Sequence, residues 1–287
     1  FFQAEDGIRD QPRSRGLGDV YKRQRVNPDI AIGSHKYIET GSKTSKFGLD
    51  SEAVNKISDE ARDNKLVNIT SVACHIGSQI SDENLILKSL DVISEIANNL
   101  SLNGHTIKFL DIGGGLGIQY KDEEEGDPGI LMAGVKNRLE GKEYKIILEP
   151  GRSIIGSAGI LVTKIEYIKN AGGKKFAIID AGMNDLIRPS LYEAWHEVKE
   201  LENKEISSDT YDLAGPVCET GDILAKDRNL KILPNDFVAF MDVGAYGSVM
   251  SSNYNSRLKP MELLVTGNEI EVIRRKETFE DLIALES

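Results

Sequence analysis

The sequence has few cysteines, no long apolar run and no surplus of positive charge, and each lack closes off a class of protein. Cys74 and Cys218 are the only cysteines among 287 residues, too few for a disulfide framework and in keeping with a reducing compartment. No uninterrupted apolar stretch reaches the ~18 residues of a membrane span, and the N-terminus lacks the apolar core of a secretory signal. Lys and Arg total 35 against 46 Asp and Glu, a net −11, which argues against nucleic acid or an anionic membrane as partner. No repeat or low-complexity tract is evident. The expectation is a soluble, cytoplasmic, globular protein of one large domain or two ordinary ones.

Two familiar phosphate motifs are also missing. The chain is organised around LDIGGGLGIQY, 110–120, where an apolar run ends in Asp111 and Ile112 and three glycines follow, Gly113, Gly114 and Gly115. After Gly113 and Gly115 the third glycine of a dinucleotide fingerprint is replaced by Ile118, and no Gly-Lys-Ser/Thr completes a P-loop. Consecutive glycines bare backbone N–H groups that suit a phosphate. A tight strand-to-helix turn accounts for them equally well. A phosphate here belongs to something other than a nucleotide.

Residues 1–24 do not read like the rest: four arginines, three glycines and no apolar period. They resemble an adapter sequence read through in translation, or else a disordered tail, and are set aside from fold reasoning, which leaves a natural N-terminus missing. From Arg25 the pattern is α/β. Strands are expected at 25–32, 67–79, 106–112 and 145–150, with helices at 51–64, 82–100 and 129–141. The first helix has Ala53, Ile57 and Ala61 on its apolar face. Alternating strands and helices predict parallel βα units. Their polar or glycine-rich punctuation follows one end of each strand, the face that carries the site in a (β/α)8 barrel. Four units make half a barrel, a partial barrel over 25–155. Beyond Arg152 the runs 160–168, 174–182, 229–234, 236–246, 261–267 and 269–275 are short and β-type, predicting an all-β domain over 156–287.

Taken singly, the polar candidates have bland explanations. His75 suits a satisfied core residue at a strand end, Glu149 a solvated strand end or a partner of Arg152, and Cys218 a small buried hydrophobe. Arg188 and Tyr192 suit a surface pair at helical spacing, and Met250 and Tyr254 suit packing. The order of the motifs is more specific: HIGS at 75–78, GGG at 113–115, EPGR at 149–152, DAGMNDLIRPSLYEA at 180–194, GPVCETGD at 215–222 and AYGSVMSSNYNSR at 245–257. Together they resemble the family of ornithine, diaminopimelate and arginine decarboxylases, which joins a barrel to a β domain and works with pyridoxal 5'-phosphate. HIGS and EPGR are shared widely there; RPSLYEA and GPVCETGD are particular to its diaminopimelate members.

The resemblance implies decarboxylation of meso-diaminopimelate to L-lysine, with no metal. It gives the cofactor phosphate to Gly113, Gly114, Gly115, Ser78 and the Pro150–Gly151–Arg152 backbone. It puts His75 against the pyridine ring and Glu149 at the ring nitrogen. Arg152, Arg188 and Tyr192 would grip substrate, because guanidinium forks match carboxylates. Glu219 would meet an ammonium group and Tyr246 both cofactor and substrate. Cys218, a thiol of ordinary pKa about 8.5, would protonate the carbon that loses carbon dioxide. Cys218 and Glu219 would serve the other subunit of a homodimer.

One departure is large. The family's Schiff-base lysine lies in a YAVKAN-like strand, and none occurs here. Lys43 and Lys46 fall in a loop, while Lys108 and Lys145 begin strands at the far end. By that resemblance the chain reads as a fragment, about strands five to eight of the barrel with the β domain, expected to be poorly soluble and inactive alone because of open strand edges and uncovered apolar surface. The alternatives are a related decarboxylase acting on ornithine, arginine or carboxynorspermidine, or a non-catalytic, partner-binding homologue.

Overall fold

The computed structural model describes residues 20–33, 40–41, 45–64 and 67–286. Lys43 and residues 1–19 of the segment set aside lie outside them. The chain forms two compact units, one of 1–117 with 124–150 and one of 118–123 with 151–287.

In the first unit, four strands, β1 (Val20–Arg25), β2 (Val67–Ala73), β3 (Phe109–Asp111) and β4 (Lys145–Ile147), pair in that order and all in parallel. Sequential order without reversal is the arc of a (β/α)8 barrel; a doubly wound sheet would reverse. The connecting helices are α1 (Ser51–Asp63), α2 (Glu83–Leu102) and α3 (Pro128–Arg138). Each begins at an aspartate whose carboxylate accepts a first-turn amide: Asp50 from Ala53, Asp82 from Asn84, and Asp127 from Gly129 and Ile130. Such caps satisfy amides that have no partner within the helix. The buried face of α1 is Val54, Ser58 and Ala61, one residue along from the expected Ala53 and Ile57 at its first two positions. In α2, Ile86, Leu90, Ile93 and Ala97 are buried as the period predicts.

The first strand departs from expectation: it is 20–25, where the sequence pattern suggested 25–32. The reason is local. Pro28 has no N–H to give a ladder, and the Asp29 amide donates to the Asn27 side chain at 3.0 Å with Asp29 at φ 54°. That turn ends the extended run.

The second unit holds a six-stranded sheet ordered β7 (Val198–Glu200), β10 (Phe237–Phe240), β5 (Leu161–Ala171), β6 (Lys174–Ile179), β8 (Asp209–Ala214) and β9 (Ile223–Leu230). Only β6–β8 is parallel. Gly172 and Gly173, at φ 59° and 79°, form the two-residue turn joining β5 to β6, the left-handed pair that suits a twisted hairpin. Ile165, Ile179, Leu213, Val238 and Phe240 fill its core. Short helices α4 (Arg152–Ile155) and α5 (Arg188–Tyr192) precede and interrupt the sheet. A separate hairpin, β11 (Glu262–Thr266) with β12 (Glu269–Arg274), and α6 (Phe279–Leu282) follow it. Strand β8 was not anticipated, and the expected strand at 229–234 is only the end of β9.

Candidate active site

In the first unit, the carboxyl ends of β2, β3 and β4 remain joined beyond the strands. The Cys74 amide donates to Asp111 O at 2.9 Å, Ile112 N to Ile147 O at 3.2 Å, and Glu149 N to Gly113 O at 2.8 Å. This brings His75, Gly113–Gly115 and Glu149 to one edge. Gly114 has no room for a side chain: a Cβ there would lie 2.1 Å from Glu149 O. Gly113 and Gly115 adopt φ 69° and 106°, the left-handed region open to glycine. The Gly113 amide donates to Asp111 Oδ1 at 2.9 Å and the Gly114 amide to His75 Nδ1 at 3.2 Å. The Gly115 amide has no partner among the described residues. Fewer bare N–H groups are thus on offer than three glycines suggest.

His75, half-buried, accepts through Nδ1, so its neutral ring carries the proton on Nε2. Burial, and then the charge of Arg25, push its pKa down. Ser78 follows on the same loop, half-buried. Glu149 is 51% exposed and pairs with Arg23 at 3.2 Å; Arg23 also contacts the buried Asp111. Burial pushes the Asp111 pKa up, against the opposing Gly113 amide and Arg23. Arg23 belongs to the stretch set aside in the sequence reading, yet it holds the carboxylate expected at a ring nitrogen. Cys74 is buried, and burial pushes its thiol up to about 11, so it is an inert packing residue. Lys108 immediately precedes β3 and Lys145 begins β4, the ends away from this edge. Lys46 lies over the Phe47 ring.

The second unit holds a separate cluster of cations and rings. Arg152 is buried at the start of α4; its Nη1 donates to the Tyr120 hydroxyl at 2.5 Å, and its guanidinium lies 5.0 Å from the centre of the Tyr246 ring. Arg188, buried on α5, lies 4.6 Å over the Tyr120 ring, and its Nη1 contacts His196 Nε2 at 2.8 Å. Its Nε is buried with no partner, and no carboxylate pairs with it among the described residues. Such a cation is costly without an anion. Burial pushes the Arg188 pKa down. Tyr192, half-buried, lies one helical turn on from Arg188. Tyr246 is exposed at φ 60°, a conformation that costs a non-glycine residue about 1 kcal/mol or more.

Cys218 and Glu219 sit on an exposed loop that Asp222 ties down. The buried Asp222 carboxylate accepts the amides of Met183 at 2.6 Å and Val217 at 2.7 Å. Cys218 is exposed, contrary to the buried-hydrophobe reading. Asn255 Nδ2 approaches its Sγ at 3.4 Å, and the Tyr254 hydroxyl donates to Glu219 at 2.7 Å. Tyr254 is half-exposed and therefore not simple packing. Tyr120, His196, Asp222 and Asn255 escaped the sequence reading. The only signals were a tyrosine closing the glycine run and a histidine beside Trp195.

A partial barrel with a glycine turn at its strand ends, followed by a β domain with buried arginines, is the architecture of one class of cofactor-dependent decarboxylase. The family model for the pyridoxal-dependent decarboxylase C-terminal sheet domain matches residues 18–244, and the chain belongs to that family. It is 43% identical to the diaminopimelate decarboxylase of Pseudomonas aeruginosa over 263 residues, 92% of this chain and 63% of the relative. The enzyme of that name from Aquifex aeolicus is 44% identical over 90% of this chain and 62% of its own. The solved Helicobacter pylori diaminopimelate decarboxylase, complexed with L-lysine, superposes with a TM-score of 0.89 at 40% identity, covering 94% of this chain and 67% of that one. The chain thus spans about 63% of the length of the curated relatives it matches.

The residues of the first unit suit part of the family's cofactor. The crowded Gly114, the Gly115 amide, unpartnered among the described residues, and the reachable Glu149 suit a phosphoester and a ring nitrogen. The described lysines do not suit its aldehyde.

Proposed function

We propose that the whole protein, of which this chain spans part, catalyses pyridoxal-phosphate-dependent decarboxylation of meso-diaminopimelate to L-lysine and carbon dioxide, with the Schiff-base lysine supplied from outside this chain. The observation that carries this reading is Arg188, a buried guanidinium with an unpartnered Nε, beside a second buried arginine on one tyrosine ring. A carboxylate completes such a fork, and a substrate with two amino-acid ends keeps one after decarboxylation. Ornithine and arginine have no second carboxylate to offer. The names of the relatives and the L-lysine of the Helicobacter complex support the same substrate.

Gly113–Gly115, Ser78 and residues 150–152 would hold the cofactor phosphate, His75 would lie against its ring, and Glu149 would hold a proton at the ring nitrogen. When bound, the cofactor supplies a sink for the electron pair left as carbon dioxide departs. Arg152, Arg188, Tyr192 and Tyr246 would orient substrate, and Glu219 would bind its ammonium group. Cys218 would return a proton to the carbon. The working unit would be a cytoplasmic homodimer, a reading supported by two free thiols for the compartment and by the exposed apolar face of the β11–β12 hairpin for the dimer.

Titration calorimetry of the chain with meso-diaminopimelate, L-ornithine and L-arginine tests the substrate. Saturable binding of the first alone is expected, lost in Arg188→Ala and weakened in Arg188→Lys, which keeps the charge but not the fork. Binding of ornithine at equal strength would overturn the assignment.

A further inference from the structure

We propose that His196 is a positioning residue that aims Arg188, across the Tyr120 ring, at the carboxylate the substrate retains. The inference rests on the substrate reading above and concerns how the grip is held. Arginine is a long side chain with several free torsions, and α5 is only five residues long. Something beyond the backbone must fix the fork. Arg188 Nη1 lies 2.8 Å from His196 Nε2, and His196 Nδ1 lies 2.8 Å from Met241 O. A guanidinium can only donate and a carbonyl can only accept. The tautomer follows: Nε2 accepts from Arg188, and Nδ1–H donates to Met241. Tyr120 completes the support, with its ring edge-on to His196 at 5.4 Å and 85°.

The choice of acceptor matters. A carboxylate in this position would neutralise Arg188, whereas a neutral imidazole fixes its direction and leaves its charge for a ligand. The groups facing His196 keep it neutral. Arg188 and Arg152 lie on α5 and α4, Arg228 of β9 donates to the His196 carbonyl at 3.0 Å, and Tyr120 presents its ring. None of these carries a carboxylate.

The test uses the 287-residue chain and meso-diaminopimelate as probe. His196→Ala is expected to weaken binding about tenfold or more, the value of a hydrogen bond to a charged group. His196→Gln, whose amide oxygen can accept from Arg188, is expected to restore most of it. Long-range nitrogen–proton NMR should find the wild-type ring protonated at Nδ1 alone, with Nε2 moving as ligand is added. Should His196→Ala unfold, the Gln variant and the wild-type tautomer still decide. Wild-type affinity in His196→Ala together with loss in Arg188→Ala, or a proton on Nε2, would overturn the proposal and leave the substrate reading standing. No binding by the wild-type chain would overturn both.

Discussion

Replacing Gly114 with alanine sets a methyl carbon 2.1 Å from the Glu149 carbonyl oxygen, and backbone yields less readily than a side chain. Gly114→Ala should cost about 1–3 kcal/mol through overpacking, read as a lower urea midpoint. In the whole protein it should also abolish retention of pyridoxal phosphate on gel filtration, since the turn is what presents the Gly115 amide. His196 makes a second prediction, on pH. Burial and then Arg188 hold its folded pKa at about 4, against 6.5 when unperturbed. Between those values the unfolded chain binds the extra proton, so stability falls as pH drops from 6.5 towards 4 and is level above. The full span amounts to about 3 kcal/mol. Asp111, Asp185 and Asp222 have pKa values raised by burial and act in the opposite sense over the acid range. The difference between wild type and His196→Gln, followed by denaturant melts from neutral to acid pH, therefore isolates the histidine. No change in that difference would refute its neutral burial.

At the scale of elements, α3 depends on its start. Only Leu131 and Val135 are buried, so packing contributes little and the Asp127 cap with Pro128 behind it contributes much. Asp127→Ala should destabilise the first unit by about 1 kcal/mol, measurable by thermal melting. Helices 51–64 and 82–100 were legible in the sequence because apolar residues recur at helical steps; the aspartate caps add a signal that the periodicity alone does not use. Strand β8, DTYDLA, was not, because it buries Asp212 beside Tyr211 and Leu213, and the acids masked its period. Strand β1 was displaced because propensity cannot register the Asx turn that Asn27 makes across Pro28 to Asp29. The motif residues on strand ends and loops could be named from the motifs alone. Tyr120 and His196 could not: they are 76 positions apart in the numbering, and their meaning arises only when both meet Arg188. Nor did the glycine run reveal that two of its amides are already taken by Asp111 and His75.

For the molecule as a whole, the open question is what covers the β11–β12 hairpin. In its ladder Leu263 faces Val272 and Val265 faces Ile270, so these four side chains share one side of the ribbon. All are between 47 and 69% exposed. The other side carries Leu264 opposite Glu271, and Thr266 opposite Glu269, a mixed polar surface that suits water. An apolar face on a two-stranded ribbon, which is at best marginal alone, calls for a partner, and a second copy of the chain satisfies a homodimer by meeting like with like. Sedimentation of the wild-type chain should give a dimer, and Val265→Asp with Val272→Asp should give a monomer, because an unpaired charge buried at such a contact costs several kcal/mol. The substitutions lie on an exposed face and should leave the melting of the six-stranded sheet unchanged in the monomer. If the wild-type chain sediments as a monomer, or the double variant remains dimeric, the hairpin is not the contact, and the proposal that Cys218 and Glu219 serve a neighbouring subunit loses its structural support.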